Sequence, residues 1–191
     1  MIEQWWQSNV WFAMALGVLA YAMSYLLAFS GAFLYNNGAR AHITSEGKYE
    51  WSADMREFVN WRQFPMLKTA ITLGVLALGI GVVWTILIAQ YNQPEIFSFM
   101  MGGLILLELA GWMRQGRSIA FFYFARRHVG LEGSLTFSKR LTHTLSYLEF
   151  QNFALFYILI FLLAGGWVFL GGAVACFISS RRHRDWTVVY T

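Results

Sequence analysis

The sequence predicts an all-α, polytopic helical membrane bundle with five transmembrane helices. Three observations predict it. Of 191 residues, 58% are hydrophobic and only 13% charged, a balance that excludes an ordinary soluble fold and a disordered one. The charges are gathered into short stretches, separated by apolar runs long enough to cross a hydrocarbon core of ~30 Å. Lys and Arg also occupy only every second interval between those runs, the asymmetry that orients membrane helices. Four spans, or three plus a long helix and a re-entrant hairpin, are the competing counts.

The first span covers residues 10–35 and carries no charge. No Lys or Arg precedes it, so a retained span is expected rather than a cleaved signal. Segment 36–68 is too long for a tight turn and contains an amphipathic stretch at 52–64. Ser52 or Asp54 can cap its start, and Met55, Phe58 and Val59 form an apolar face beside Arg56 and Arg62. Such a helix suits the cytoplasmic lipid surface, with a protein partner as the alternative cover.

The second span, 69–91, leaves through Asn92-Gln93-Pro94, whose proline fits the first turn of the next helix. The third, 95–113, is interrupted only by Glu108 and closed by Arg114 and Arg117. Residues 118–127 are expected to continue it, with aromatics that need lipid or protein cover. Trp84, Tyr91 and Trp112 lie towards span ends, where amphipathic rings favour the interface. The last apolar block, 141–180, would extend ~60 Å as one helix, about twice the membrane core. Gly165-Gly166 is therefore read as a reversal, giving spans at 141–164 and 166–182, the second completed by snorkelling arginines.

With the N-terminus outside, Lys and Arg number none before the first span, five within 40–68, none around Asn92, six within 114–140, none at Gly165-Gly166 and three in the tail. All 14 then share one side, whereas four spans would leave the last three outside. An outside N-terminus and a cytoplasmic C-terminus in a prokaryotic plasma membrane are the expected placement. Arg126, Arg127, Arg181, Arg182 and Arg184 sit beside spans, so anionic lipid headgroups are their expected partners and nucleic acid is not.

Small residues recur at steps of three and four: Ala13, Gly17, Ala20, Ser24, Ala28 and Gly31 on the first span, Ala70, Gly74, Ala77 and Gly81 on the second. Such faces let helices approach closely in lipid, within the chain or between copies. A homo-oligomer, or association with other membrane subunits, is expected. The glycine pairs in 99–103 and 169–172 resemble each other and suggest a parallel duplication of two hairpins.

Two acids remain inside the predicted spans, and an intramembrane acid is costly enough to suggest a site. Glu108 lies ~9 Å inward of Arg114, and Glu149 ~13 Å inward of Arg140, so the two share a depth in the cytoplasmic half. Thr142, Ser146 and Asn152 form a polar stripe around Glu149. Gln115 shares the Glu108 face, and Arg114, Arg117 and His143 can approach from the boundary. Brought face to face, the acids would share a proton or a cation and serve permeation of an ion or small solute. Otherwise they fix helix packing. An accessory subunit of a larger membrane complex is the alternative, and a lipid-processing enzyme at the cytoplasmic interface the third reading.

No nucleotide-binding or nucleophile motif occurs, so an enzyme is the less expected class, behind permeation and an accessory role, and no cofactor is expected. His42, His128, His143 and His183 lie near or beyond the boundary without haem spacing. Glu108, Glu149 and His143 have no metal-ligand spacing either, so no metal site is expected. Cys176 is the single cysteine, which excludes an intrachain disulfide.

Overall fold

The helices and strands follow in the order α1 (Ile2–Ser8), α2 (Val10–Asn36), β1 (Ile43–Ser45), α3 (Met66–Trp84), α4 (Pro94–Arg126), β2 (Leu135–Phe137), α5 (Lys139–Ala164) and α6 (Trp167–Val189). They are taken from a computed structural model that describes residues 2–45, 66–127, 133 and 135–189. The amphipathic stretch expected at 52–64 lies outside these. Four helices, α2, α3 with the π-helical turn at Thr85–Gln90 that prolongs it, α4 and α5, are long and apolar enough to cross a membrane. The chain is an all-α membrane bundle. The sixth helix has 23 residues, but its last two and a half turns carry Arg181, Arg182, Arg184 and Asp185.

Local chemistry sets the helix ends. Asn9 starts α2 by accepting hydrogen bonds from the N–H groups of Trp11 and Phe12 at 2.9 and 3.2 Å. Pro94 occupies the first turn of α4, where its missing N–H costs nothing. Ser138 caps α5 by accepting from the Leu141 N–H at 3.1 Å. Gly165 and Gly166 have φ of 71° and 92°, and this left-handed pair reverses the chain between α5 and α6.

The predicted small face of α2 is the one that is covered: Ala13, Gly17, Ala20, Ser24, Ala28 and Gly31 are all buried. On Gly17, the volume of a Cβ is taken by the Ile80 side chain of α3. The matching face of α3 is not used in the same way, because Ala70 and Gly74 are exposed and α3 buries only Thr69 and Ile80. The two glycine pairs meet each other. A Cβ on Gly102 would strike the Val168 carbonyl, and one on Gly171 the Phe99 carbonyl, so α4 and α6 run with their backbones in contact.

Two features escaped the sequence reading. Helix α1 lies across one end of the bundle: Trp6 Nε1 donates to Ser98 Oγ at 3.2 Å, and Trp84 Nε1 to the carbonyls of Trp6 and Gln7 at 3.0 and 3.2 Å. Trp84 therefore spends its N–H inside the fold. At the opposite end β1 and β2 pair in parallel, Ile43 beside Leu135 and Ser45 beside Phe137. Below them Tyr35, Ala39, Ile43, Phe122 and Ala125 form a buried cluster, which covers one side of the aromatic run after Ser118. The other side is open at Tyr123 and Phe124.

The described parts of all three basic segments meet at this end. The Gly38 turn lies against the Arg126 side chain, β1 pairs with β2, and His183 of α6 meets His143 of α5.

Candidate functional site

Helix α4 is about 50 Å long, more than a ~30 Å hydrocarbon core requires, and its last three turns carry Arg117 and Arg126. There it diverges from the first turns of α5 and leaves a cavity of about 300 Å³. The walls divide by chemistry. Ile43, Phe121, Phe122, Phe137 and Leu145 form an apolar half under the β1–β2 pair. Facing them are Arg114, Arg117, Gln115 and Ser118 from α4, Thr142, His143 and Ser146 from α5, and His183 from α6. Among the described residues the lining holds two guanidinium groups, and Glu149 stands behind one of them as the partner of Arg117.

Each cationic group is held by the elements around it. Arg114 Nη1 donates to Ser146 Oγ at 3.1 Å, and its guanidinium stands 5.1 Å from the centre of the Phe150 ring. Arg117 pairs with Glu149. Among the described residues, none gives a hydrogen bond to the buried side-chain oxygens Glu149 Oε2 and Gln115 Oε1.

His143 and His183 approach with their Nδ1 atoms 3.3 Å apart. The His183 ring stacks on Phe150 with centroids at 5.6 Å and meets the Trp186 edge at 5.1 Å. It lies beyond the apolar part of α6. Burial pushes its pKa down to about 3, and Arg114, His143 and Arg182 push in the same direction. The imidazole is consequently neutral at physiological pH.

The two acids are not joined. Glu108 accepts a hydrogen bond from Ser24 Oγ of α2, and the same hydroxyl accepts from Trp112 Nε1 at 2.9 Å. Trp112 also donates to the Ala20 carbonyl at 3.2 Å, so this indole is turned into the bundle rather than to the interface. Glu149 is held instead by Arg117, which follows Glu108 by nine residues on α4. Nine residues are two and a half helical turns, about 180° of rotation and ~14 Å of rise. The acids thus belong to opposite sides of α4, each with its own partner, and the expected face-to-face pair is corrected on this point.

Of the polar residues expected to support them, Arg114, Arg117, His143 and Ser146 converge on the cavity. Asn152 does not: it is exposed on the outer side of α5. Arg126, Arg127, Arg181, Arg182 and Arg184 are exposed at the basic end, with Arg127 over Tyr123 at 4.4 Å, Arg182 over Trp186 at 4.8 Å and Arg184 3.7 Å from Asp185.

The apolar wall was missed by the sequence reading, since Ile43 and Phe137 sit on connectors far apart in the chain. Its one visible signal is the Phe121-Phe122 pair, continuing a helix past its basic boundary. Among the described residues no group of three His, Cys, Asp or Glu side chains comes together to hold a metal. No protein family, curated protein or solved structure matches the chain.

Proposed function

We propose that this chain serves the permeation of an ion or small solute across a membrane, and that the solute is received in the cavity between α4, α5 and α6. The observation that carries this reading is the lining itself: a largely apolar chamber that also holds two guanidinium groups and a cluster of hydroxyl, amide and imidazole side chains. In this reading Glu149 is the counter-charge of Arg117 at the chamber wall, and Glu108 is a strut between α2 and α4. The chain spans the membrane five times with its N-terminus outside, and the basic end faces the cytoplasm of a prokaryotic cell, where anionic headgroups surround the exposed arginines.

The test is reconstitution into vesicles loaded with a pH-sensitive dye, which reports protons and weak acids alike. Ser146→Trp fills the cavity and should stop the parent's flux. Glu149→Gln releases Arg117 and should change the rate, while Glu108→Gln keeps an acceptor for Ser24 and should leave it unaltered. Parental flux in Ser146→Trp would remove the cavity from the reading.

A second reading, an accessory subunit beside other membrane spans, is favoured by α3. A Cβ on Gly74 or Gly79 would meet nothing within 4 Å, so glycines of this helix remain open to close approach by another backbone. An absence of flux, together with a mass in mild detergent that includes other subunits, would favour this reading.

A further inference from the structure

We propose that the cavity between α4, α5 and α6 binds a small neutral phenol or alcohol, its hydroxyl donating to Gln115 and its apolar body lying on the phenylalanine wall. This names the class of solute for the chamber described above, and rests on that reading. The polar anchor is Gln115. It is 9% exposed and lines the chamber, yet among the described residues no group gives a hydrogen bond to its Oε1. A buried amide left this way is costly, because it has given up water and gained no partner. Its neighbours are engaged elsewhere: Arg114 with Ser146 and Phe150, Arg117 with Glu149, and Ser118 with the Arg114 carbonyl, to which its hydroxyl donates at 3.3 Å. The donor that Oε1 lacks therefore comes from the chamber. The last torsion of a glutamine is soft, so a small rotation of the amide turns Oε1 towards a guest. A hydroxyl suits this acceptor, since it brings a donor and no charge.

Water would satisfy the amide but leave the opposite wall bare. There Phe121 and Phe137 meet edge to face at 6.0 Å, with Ile43 and Phe122 buried in the same wall. Such a surface takes an aryl ring or a short hydrocarbon chain. A volume of about 300 Å³ lies at the lower end for small-molecule sites, so the guest is a single-ring phenol or an alcohol of similar size rather than a lipid.

The full chain in phosphatidylcholine nanodiscs is irradiated with a phenol carrying a para trifluoromethyl diazirine, and the adducts are mapped by peptide mass spectrometry. Saturable labelling of α4 and α5 around Phe121, Phe122 and Leu145 is expected. Propylphenol should compete about tenfold better than its methyl ether, which keeps the shape and loses the donor. Gln115→Met keeps the length of the side chain without its hydrogen-bonding groups, and should erase that preference. Without ligand it should unfold no more easily than the parent, because the amide it removes has no partner to lose. Ser146→Trp, which leaves Gln115 in place, should block labelling, and Asn152→Leu on the outer side of α5 should not alter it.

Equal competition by the phenol and its ether, or a preference that survives in Gln115→Met, would overturn the role of the hydroxyl. Labelling that fails to saturate, or that misses α4 and α5, would overturn the site. Absence of labelling, with a Gln115→Met protein that unfolds well below the parent, would assign the chamber to ordered water and overturn ligand binding. Saturable, phenol-selective labelling without flux in vesicles leaves the ligand class standing and removes permeation. Flux that Ser146→Trp stops, without phenol binding, removes the ligand class and keeps permeation.

Discussion

His183 is an imidazole wedged against Phe150 and Trp186, with guanidinium groups for neighbours, and it makes the basic end of the bundle sensitive to acid. In the unfolded chain it takes a proton near its ordinary value of 6.5, whereas in the fold protonation waits until about 3. The folded value is the lower one, so the stabilisation is complete above pH 6.5 and is lost as the pH falls from there towards 3. The midpoint of thermal unfolding in detergent should therefore drop between pH 7 and pH 4, and His183→Phe, which keeps the stack on Phe150, should flatten that part of the curve. An unchanged slope would assign the acid sensitivity to other groups. Ser24 is the second residue that decides local stability, since its hydroxyl serves both Glu108 and Trp112. Ser24→Ala should cost about 1–3 kcal/mol by taking the donor from Glu108, while Trp112 keeps its bond to the Ala20 carbonyl. Ser30→Ala, which loses only a bond to its own helix at Leu26, should stay within about 0.5 kcal/mol. The same residues show where sequence reading stops. The depth of Glu108 and Glu149 follows from their distance to boundary arginines, but the direction each faces depends on how the helices are rotated. That rotation is set by contacts such as Ser24 with Glu108, between residues 84 positions apart.

The decisive contact between elements is the crossing of α4 and α6, where glycines let two backbones touch. Gly102→Ala or Gly171→Ala places a methyl group on a carbonyl of the facing helix, and neither backbone can yield without moving the whole helix. A loss of about 1–3 kcal/mol or more is expected, read as a lower unfolding midpoint and as accelerated thiol labelling of Cys176, which α6 buries in a cluster with residues of α4 and α5. Gly74→Ala and Gly111→Ala put the same methyl group into open space and should be neutral or slightly stabilising. Full stability of Gly171→Ala would mean that the two helices do not approach this closely. The small-residue face of α2 was legible because its spacing repeats over five turns, although Tyr25, Ala32 and Tyr35 are buried on that helix too. The glycine pairs at 99–103 and 169–172 were legible only as similar motifs. That they are two halves of one contact depends on α6 returning beside α4, which a local pattern does not encode.

At the scale of the whole molecule, the fold brings the described parts of three basic segments to one end. The connectors after α2 and α4 touch through β1 and β2, and α6 returns to them through His183 and through Ser180 Oγ, which donates to the Tyr147 carbonyl at 3.1 Å. Charge spacing anticipated this grouping, because Lys and Arg skip every second interval. The strand pairing and the α1 lid were hidden, since each takes its partners from distant parts of the chain. Positive segments resist translocation, so the gathered end should remain in the cytoplasm and the α1 end should face out. The single cysteine makes this directly measurable. On a Cys176→Ala background, Ser8→Cys and Gln93→Cys should react with an impermeant maleimide in intact cells. Arg140→Cys and Arg184→Cys should react only after permeabilisation. The opposite pattern would invert the molecule. Labelling of Arg184→Cys from outside with Arg140→Cys protected would instead mean that α6 does not return across the membrane, and the chain would then have four spans.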